Sequence, residues 1–154
     1  MQLNIIYQDD KLQQLRVSKK KLQTKIDQIL MLLSKKKLRN KVRLKSKELT
    51  IVFLSAKEIK KINFKFRGKN KPTDVLSFPV RDPECLGELL LCPEVLFKQS
   101  KQFGHSYDFE LLTMLIHGIL HLLGYDHELS KAEEKLMFSL QNAMLESILT
   151  KPAK

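Results

Sequence analysis

Between Leu111 and Leu123 the chain carries its longest apolar stretch, interrupted by Thr113, His117, Gly118 and His121. It is too short to span a bilayer, so its apolar surroundings must come from the protein itself. Helical periodicity over residues 108–123 predicts a central, buried helix that stops at Gly124. Such a helix can bury imidazoles only if something compensates their polar nitrogens. His117 and His121 are four residues apart, so both rings leave one face and can share an ion. Gly124 permits a left-handed turn that brings the chain back, and His127 then arrives as a third donor. Three neutral imidazoles leave one tetrahedral position open to water, the arrangement of a catalytic zinc. One Zn2+ per chain, on His117, His121 and His127, is therefore expected. His105 lies outside this pattern in a loop-like stretch and reads as a solvated side chain.

The same histidine spacing occurs in metzincin proteases, with one departure. Those enzymes place a glutamate after the first histidine as general base, where this chain has Gly118. Without that carboxylate, peptide hydrolysis lacks its proton acceptor, and a protease is disfavoured.

Upstream, residues 2–8 and 48–54 read as strands. A helix is predicted from Ser18, with Leu22, Ile26, Ile29, Leu30 and Leu33 on one face. Ser55 and Ser130 each open a further helix with a capping box, through Glu58 and Glu133. Ile59, Ile62 and Phe66 are expected to face inward on the first of these; the second runs to about Leu149. Residues 67–73 form a basic loop broken by Gly68 and Pro72. Residues 74–79 and 86–92 are two more strands, and Pro93 suits the first turn of a short helix. The expected fold is α+β, a single domain over residues 1–154. One small mixed β-sheet is packed by about five helices, with the zinc site on the central C-terminal apolar helix.

Charge is distributed unevenly. Residues 1–71 hold 21 Lys and Arg against 5 Asp and Glu, whereas residues 72–154 hold 7 against 12. A basic front half suits an anionic polymer such as nucleic acid, and it equally suits a solubilising surface. Met1 to Tyr7 lacks the features of a signal peptide. A cytoplasmic protein without membrane association is expected. Cys85 and Cys92 are not spaced as a metal pair, and each reads as a small buried hydrophobe.

Two longer motifs carry a family resemblance. His117–His127 reads HGILHLLGYDH and Phe66–Pro79 reads FRGKNKPTDVLSFP, followed in order by Leu86–Gly87–Glu88. They resemble the bacterial YbeY-type endoribonucleases, a ribosomal RNA maturation family with the signatures HGxLHLxGYDH, FRGKDKPTDVLSFP and LGD or LGE. The likeness runs from about Thr50 to Leu145. Asn70 stands where the family usually has Asp, which leaves no ionic role at that position, and the first 47 residues are unusually rich in lysine.

The resemblance implies a single-strand-specific, zinc-dependent endoribonuclease. Its implied role is 3′-end maturation of 16S ribosomal RNA and ribosome quality control. The implied partners are ribosomal RNA, the small ribosomal subunit and ribosomal or assembly proteins, with no DNA. Arg67 matches the family's functional arginine, and a guanidinium there would grip a phosphate in a bidentate way. Lysines among residues 57–71 would follow the RNA backbone. Asp126 reads as orienting a histidine, though its place beside a ligand also suits a general base. Asp74 and Ser77 read equally as cleft residues or as strand-start caps. Two other classes stay open: a zinc-stabilised ribosome-assembly factor without catalysis, and a metal hydrolase of another substrate.

Overall fold

The computed structural model describes residues 1–8 and 15–150. Its elements are β1 (Gln2–Tyr7), α1 (Lys19–Ser34), a 3-10 helix (Lys41–Lys45), β2 (Glu48–Phe53), α2 (Ala56–Arg67), β3 (Val75–Phe78), β4 (Cys85–Leu91), α3 (Pro93–Phe103), α4 (Tyr107–Leu122) and α5 (Lys131–Thr150). This is the expected α+β architecture, one mixed four-stranded sheet with five α-helices.

The sheet runs β1-β2-β4-β3, with the first three strands parallel and β3 antiparallel to β4. Alternation along the strands divides it into two apolar faces. Ile51 and Phe53 of β2, with Leu89 and Leu91 of β4, enter the larger core. There they meet Leu22 and Ile26 of α1, Leu115 and Ile119 of α4, and Met137 and Met144 of α5. Val52, Leu76 and Leu90 point the other way and pack with Ile59 of α2. Thus α2 covers one face while α1, α4 and α5 cover the other. β3 is an edge strand, and both helical layers reach the cleft that opens along it. No helix among the described residues is long and apolar enough to cross a membrane.

Serine hydroxyls start the helices as the sequence suggests. Ser18, Ser55 and Ser130 accept the amides of Lys21, Glu58 and Glu133. Only the serine half of each capping box forms, because Glu58 turns to Lys61 and Glu133 turns to Arg39. Other expectations are corrected. Phe66 is not on the inner face of α2 but 60% exposed, because the last turn of the helix reaches the cleft. Asn63 is buried instead, donating to Lys71 O at 2.9 Å. His105 is half-buried rather than solvated: its ring pairs with the buried carboxylate of Glu110, which needs a partner. Cys92 is buried, but Cys85 is only half-buried at the sheet margin. The 3-10 helix was not foreseen, since its sequence is dominated by charge rather than by an apolar period.

Candidate metal centre

α4 is held by packing. Leu111, Leu115, Ile116, Ile119 and Leu120 are fully buried, which leaves His117 and His121 to face the cleft. Between them Gly118 lies against the sheet, where a Cβ would stand 2.7 Å from Leu89 Cδ2. A side chain at 118 would therefore have to displace a buried core leucine. Ser77 Oγ donates to Gly118 O at 3.2 Å and ties the helix to β3.

The helix ends as its glycine requires. Gly124 has φ +97°, its N–H donates to His121 O at 2.9 Å, and Tyr125 N–H donates to Leu120 O at 3.1 Å. The reversed chain brings the His127 ring centroid within 5.1 Å of His117 and 5.3 Å of His121. One donor atom from each histidine lies within 4.8 Å of the others, so the three could hold a metal ion.

Their protonation suits that task. Burial pushes the His117 imidazole below its ordinary pKa, and burial with neighbouring histidines pushes His121 down to about 4. Both rings are neutral near pH 7, with lone pairs available. His117 Nδ1 lies 2.8 Å from Gln141 Oε1. An amide oxygen only accepts, so Nδ1 carries the proton and Nε2 is left as donor atom. His127 Nδ1 is buried with no hydrogen-bond partner among the described residues, an orphan that a bound cation would satisfy. On both counts the residues fit a transition-metal ion.

A cavity of about 620 Å³ surrounds the histidines. Arg67, the last residue of α2, lines it and is ion-paired to Glu128. Glu128 also lies 3.6 Å from Lys69 Nζ and 3.9 Å from His127 Nε2. The Arg67 hydrogen bond holds the Glu128 carboxyl below its ordinary range. Three phenylalanine rings line the cavity. Phe66 stands edge-on to Phe78 at 5.1 Å, and Phe138 lies 5.8 Å from the His127 ring.

Known proteins resemble this chain in sequence and fold. A family model described as "Endoribonuclease YbeY" matches residues 7–149. The chain belongs to the YbeY endoribonuclease family. A Bdellovibrio bacteriovorus protein named Endoribonuclease YbeY is 60% identical over 105 residues, 68% of this chain and 70% of the relative. One from Thermodesulfovibrio yellowstonii is 38% identical over 144 residues, 87% of this chain and 91% of its own length. A solution structure of a Thermotoga maritima protein superimposes with a TM-score of 0.61 at 31% identity, covering 94% of this chain and 87% of that one. As a YbeY-family endoribonuclease the chain is a metal-dependent hydrolase of RNA.

The two YbeY motifs form the two walls of the cleft. Residues 66–79 supply the end of α2, the basic loop and β3; residues 117–127 supply α4 and its turn. Asp74 caps its own strand, accepting Val75 N–H at 2.7 Å, and also lines the cavity. Asp126 accepts Glu128 N–H at 2.9 Å, so it shapes the turn, and the contact to a histidine comes from Gln141. Sequence reasoning missed Glu128 and Phe138 in the cleft, and Gln141 buried behind His117. Gln141 had a signal: a lone amide on the buried stripe of α5, four residues after Met137 and three before Met144. Glu128 had only its place beside His127.

Proposed function

We propose that this endoribonuclease is a cytoplasmic zinc enzyme acting on single-stranded ribosomal RNA of the small subunit. Its role is 16S 3′-end maturation and ribosome quality control. His117, His121 and His127 are the metal ligands, and Arg67 is the catalytic contact to the scissile phosphate. The observation that carries this reading is the convergence of three histidine donors and one guanidinium in a single cavity. Three nitrogen donors of this kind favour zinc with an open position. When bound, the ion supplies Lewis acidity, lowering the pKa of a water and polarising a phosphoryl oxygen.

The protein's own groups do the rest. Arg67 exchanges the Glu128 carboxylate, which it holds through one nitrogen, for a phosphate that a guanidinium can grip through two, and offsets the charge that grows in the transition state. Gln141 keeps the proton of His117 on Nδ1, away from the site. The exposed faces of Phe66 and Phe138 can stack unpaired bases, which a duplex keeps within its own stack. Lys57, Lys60, Lys61, Lys65, Lys69 and Lys71 are all exposed and lie along the RNA backbone.

The test is metal content by mass spectrometry, combined with cleavage of single-stranded and duplex ribosomal RNA fragments. About one equivalent of zinc is expected, with cleavage of single strands lost to chelator and restored by zinc. Cleavage that ignores the chelator would sink the metal assignment. Tight binding of ribosomal RNA without any cleavage would favour the assembly-factor reading.

A further inference from the structure

Residues 35–47 hold eight Lys and Arg in a run that the cleft chemistry leaves unused. At its centre Asn40 has φ 48° and ψ 33°, the one non-glycine residue in the left-handed region among the described residues. Asparagine tolerates that conformation better than most residues, and here it directs two neighbouring side chains onto one target. Asn40 Nδ2 donates to Leu123 O, the C-cap of α4, at 3.0 Å. The Arg39 backbone N–H donates to Tyr125 Oη at 3.1 Å. The Arg39 guanidinium lies 5.0 Å from the centre of the Tyr125 ring and grips Glu133 with two hydrogen bonds of 2.5 and 2.6 Å.

These contacts bracket His127. Leu123 and the buried Tyr125 precede it; Glu133, in the first turn of α5, follows it. A Cβ on Gly124 would stand 3.0 Å from Asn40 Nδ2, so the fit against the turn is already closed. The clamp is itself anchored, since Arg43 Nη2 donates to the carbonyls of Val80, Cys85 and Leu86 at 3.1, 2.9 and 3.1 Å. His117 and His121 take their places from a packed helix. His127 sits on a turn held from outside, by Asn40 at the backbone carbonyl of Leu123 and by Arg39 at the side chains of Tyr125 and Glu133.

We infer that Arg39 and Asn40 are positioning residues of the metal centre, holding the turn between α4 and α5 so that His127 closes the donor set. This rests on the three histidines being the ligands, as proposed above. The two residues act through the turn and touch neither donor atoms nor substrate. Their effect should therefore appear in metal affinity and coordination before it appears in stability.

The experiment uses the full chain and titrates zinc against a chromophoric chelator, then records the absorption of the cobalt(II)-loaded protein. Asn40→Gly keeps the backbone conformation accessible and removes only the amide. Arg39→Ala removes the fork, and Arg39→Lys keeps the charge without it. Zinc affinity should fall about tenfold in Asn40→Gly and in Arg39→Ala, the size of losing a contact that orients a ligand. Arg39→Lys should recover part of that loss. In both weakened variants the strong absorption of tetrahedral cobalt should fade while the thermal midpoint of the metal-free protein stays near the parent's. Lys47→Ala breaks an exposed ion pair to Glu84 elsewhere and should leave affinity unchanged. If the parent binds zinc and all four variants bind it equally well with the same cobalt spectrum, the positioning role is overturned and the metal reading stands. If His127→Ala binds zinc as tightly as the parent, the ligand assignment falls and takes this inference with it.

Discussion

α4 and α2 bring functional groups to the same cleft by opposite means. Nine of the 16 residues of α4 are buried, so its histidines are placed by core packing. Only Ile59 and Asn63 of the 12 in α2 are buried, and Arg67 is placed by an ion pair to Glu128 on the far wall. Core packing rests on no charge pair, whereas attractions between exposed charges weaken as salt shortens the screening length, to about 10 Å at 0.1 M. Metal retention should therefore survive ionic strengths that weaken the grip on RNA. In the proposed function the packed wall is permanent and the ion-paired one exchangeable, which suits a fixed metal and a substrate that must leave.

The largest effect should come from the permanent wall. His121→Ala should reduce retained zinc from about one equivalent to almost none and abolish cleavage, as read by mass spectrometry and an RNA cleavage assay. Retention of stoichiometric metal would mean that packing does not place the donors as described.

On the exchangeable wall, Arg67→Ala should keep its zinc and its melting temperature. It should lower kcat/KM by about a hundredfold, the size of one lost transition-state contact. A variant matched for zinc that cleaves like the parent would reduce Arg67 to a partner of Glu128. A smaller change belongs to the support of the permanent wall. Gln141→Leu frees His117 Nδ1 from its acceptor and should weaken zinc by about tenfold, measured by chelator competition; unchanged affinity would show that burial alone orients the ring.

The smallest effect separates exchange from catalysis. Glu128→Gln removes the internal rival for Arg67, and RNA should bind about two- to fivefold more tightly, since exposed ion pairs are weak. KM should fall with kcat nearly kept. A collapse of kcat with KM unchanged would instead make Glu128 the proton acceptor of the reaction.

The permanent wall was legible in local pattern; on the exchangeable one the motif resemblance singled out Arg67, but not the partner that holds it. An apolar run with histidines four apart declares both the helix and its polar face, because period and chemistry coincide in one segment. Serine caps are equally local. The Arg67–Glu128 pair joins residues 61 apart, and nothing in either local pattern announces it. Phe66 was misplaced for a related reason: periodicity marks an apolar position but cannot distinguish a core from the rim of a cleft. Asn40 was invisible because its left-handed backbone is stabilised by Leu123, far along the chain. The expectation for His105 failed in the same way, since its partner Glu110 was assigned to the helix without regard to what a buried carboxylate needs.

The contact between Gly118 and Leu89 bears on how such a helix can change by descent. Two histidine patterns that look one substitution apart, glycine here and glutamate in the metzincins, are separated by a folding barrier rather than by mutational distance. A glutamate at 118 would reach the cleft only after the sheet had made room for it, through a smaller residue at 89 or a shifted strand. A lineage carrying that glutamate first would lose stability before gaining any new chemistry. Packing at residue 89 thus has to change before chemistry at residue 118 can.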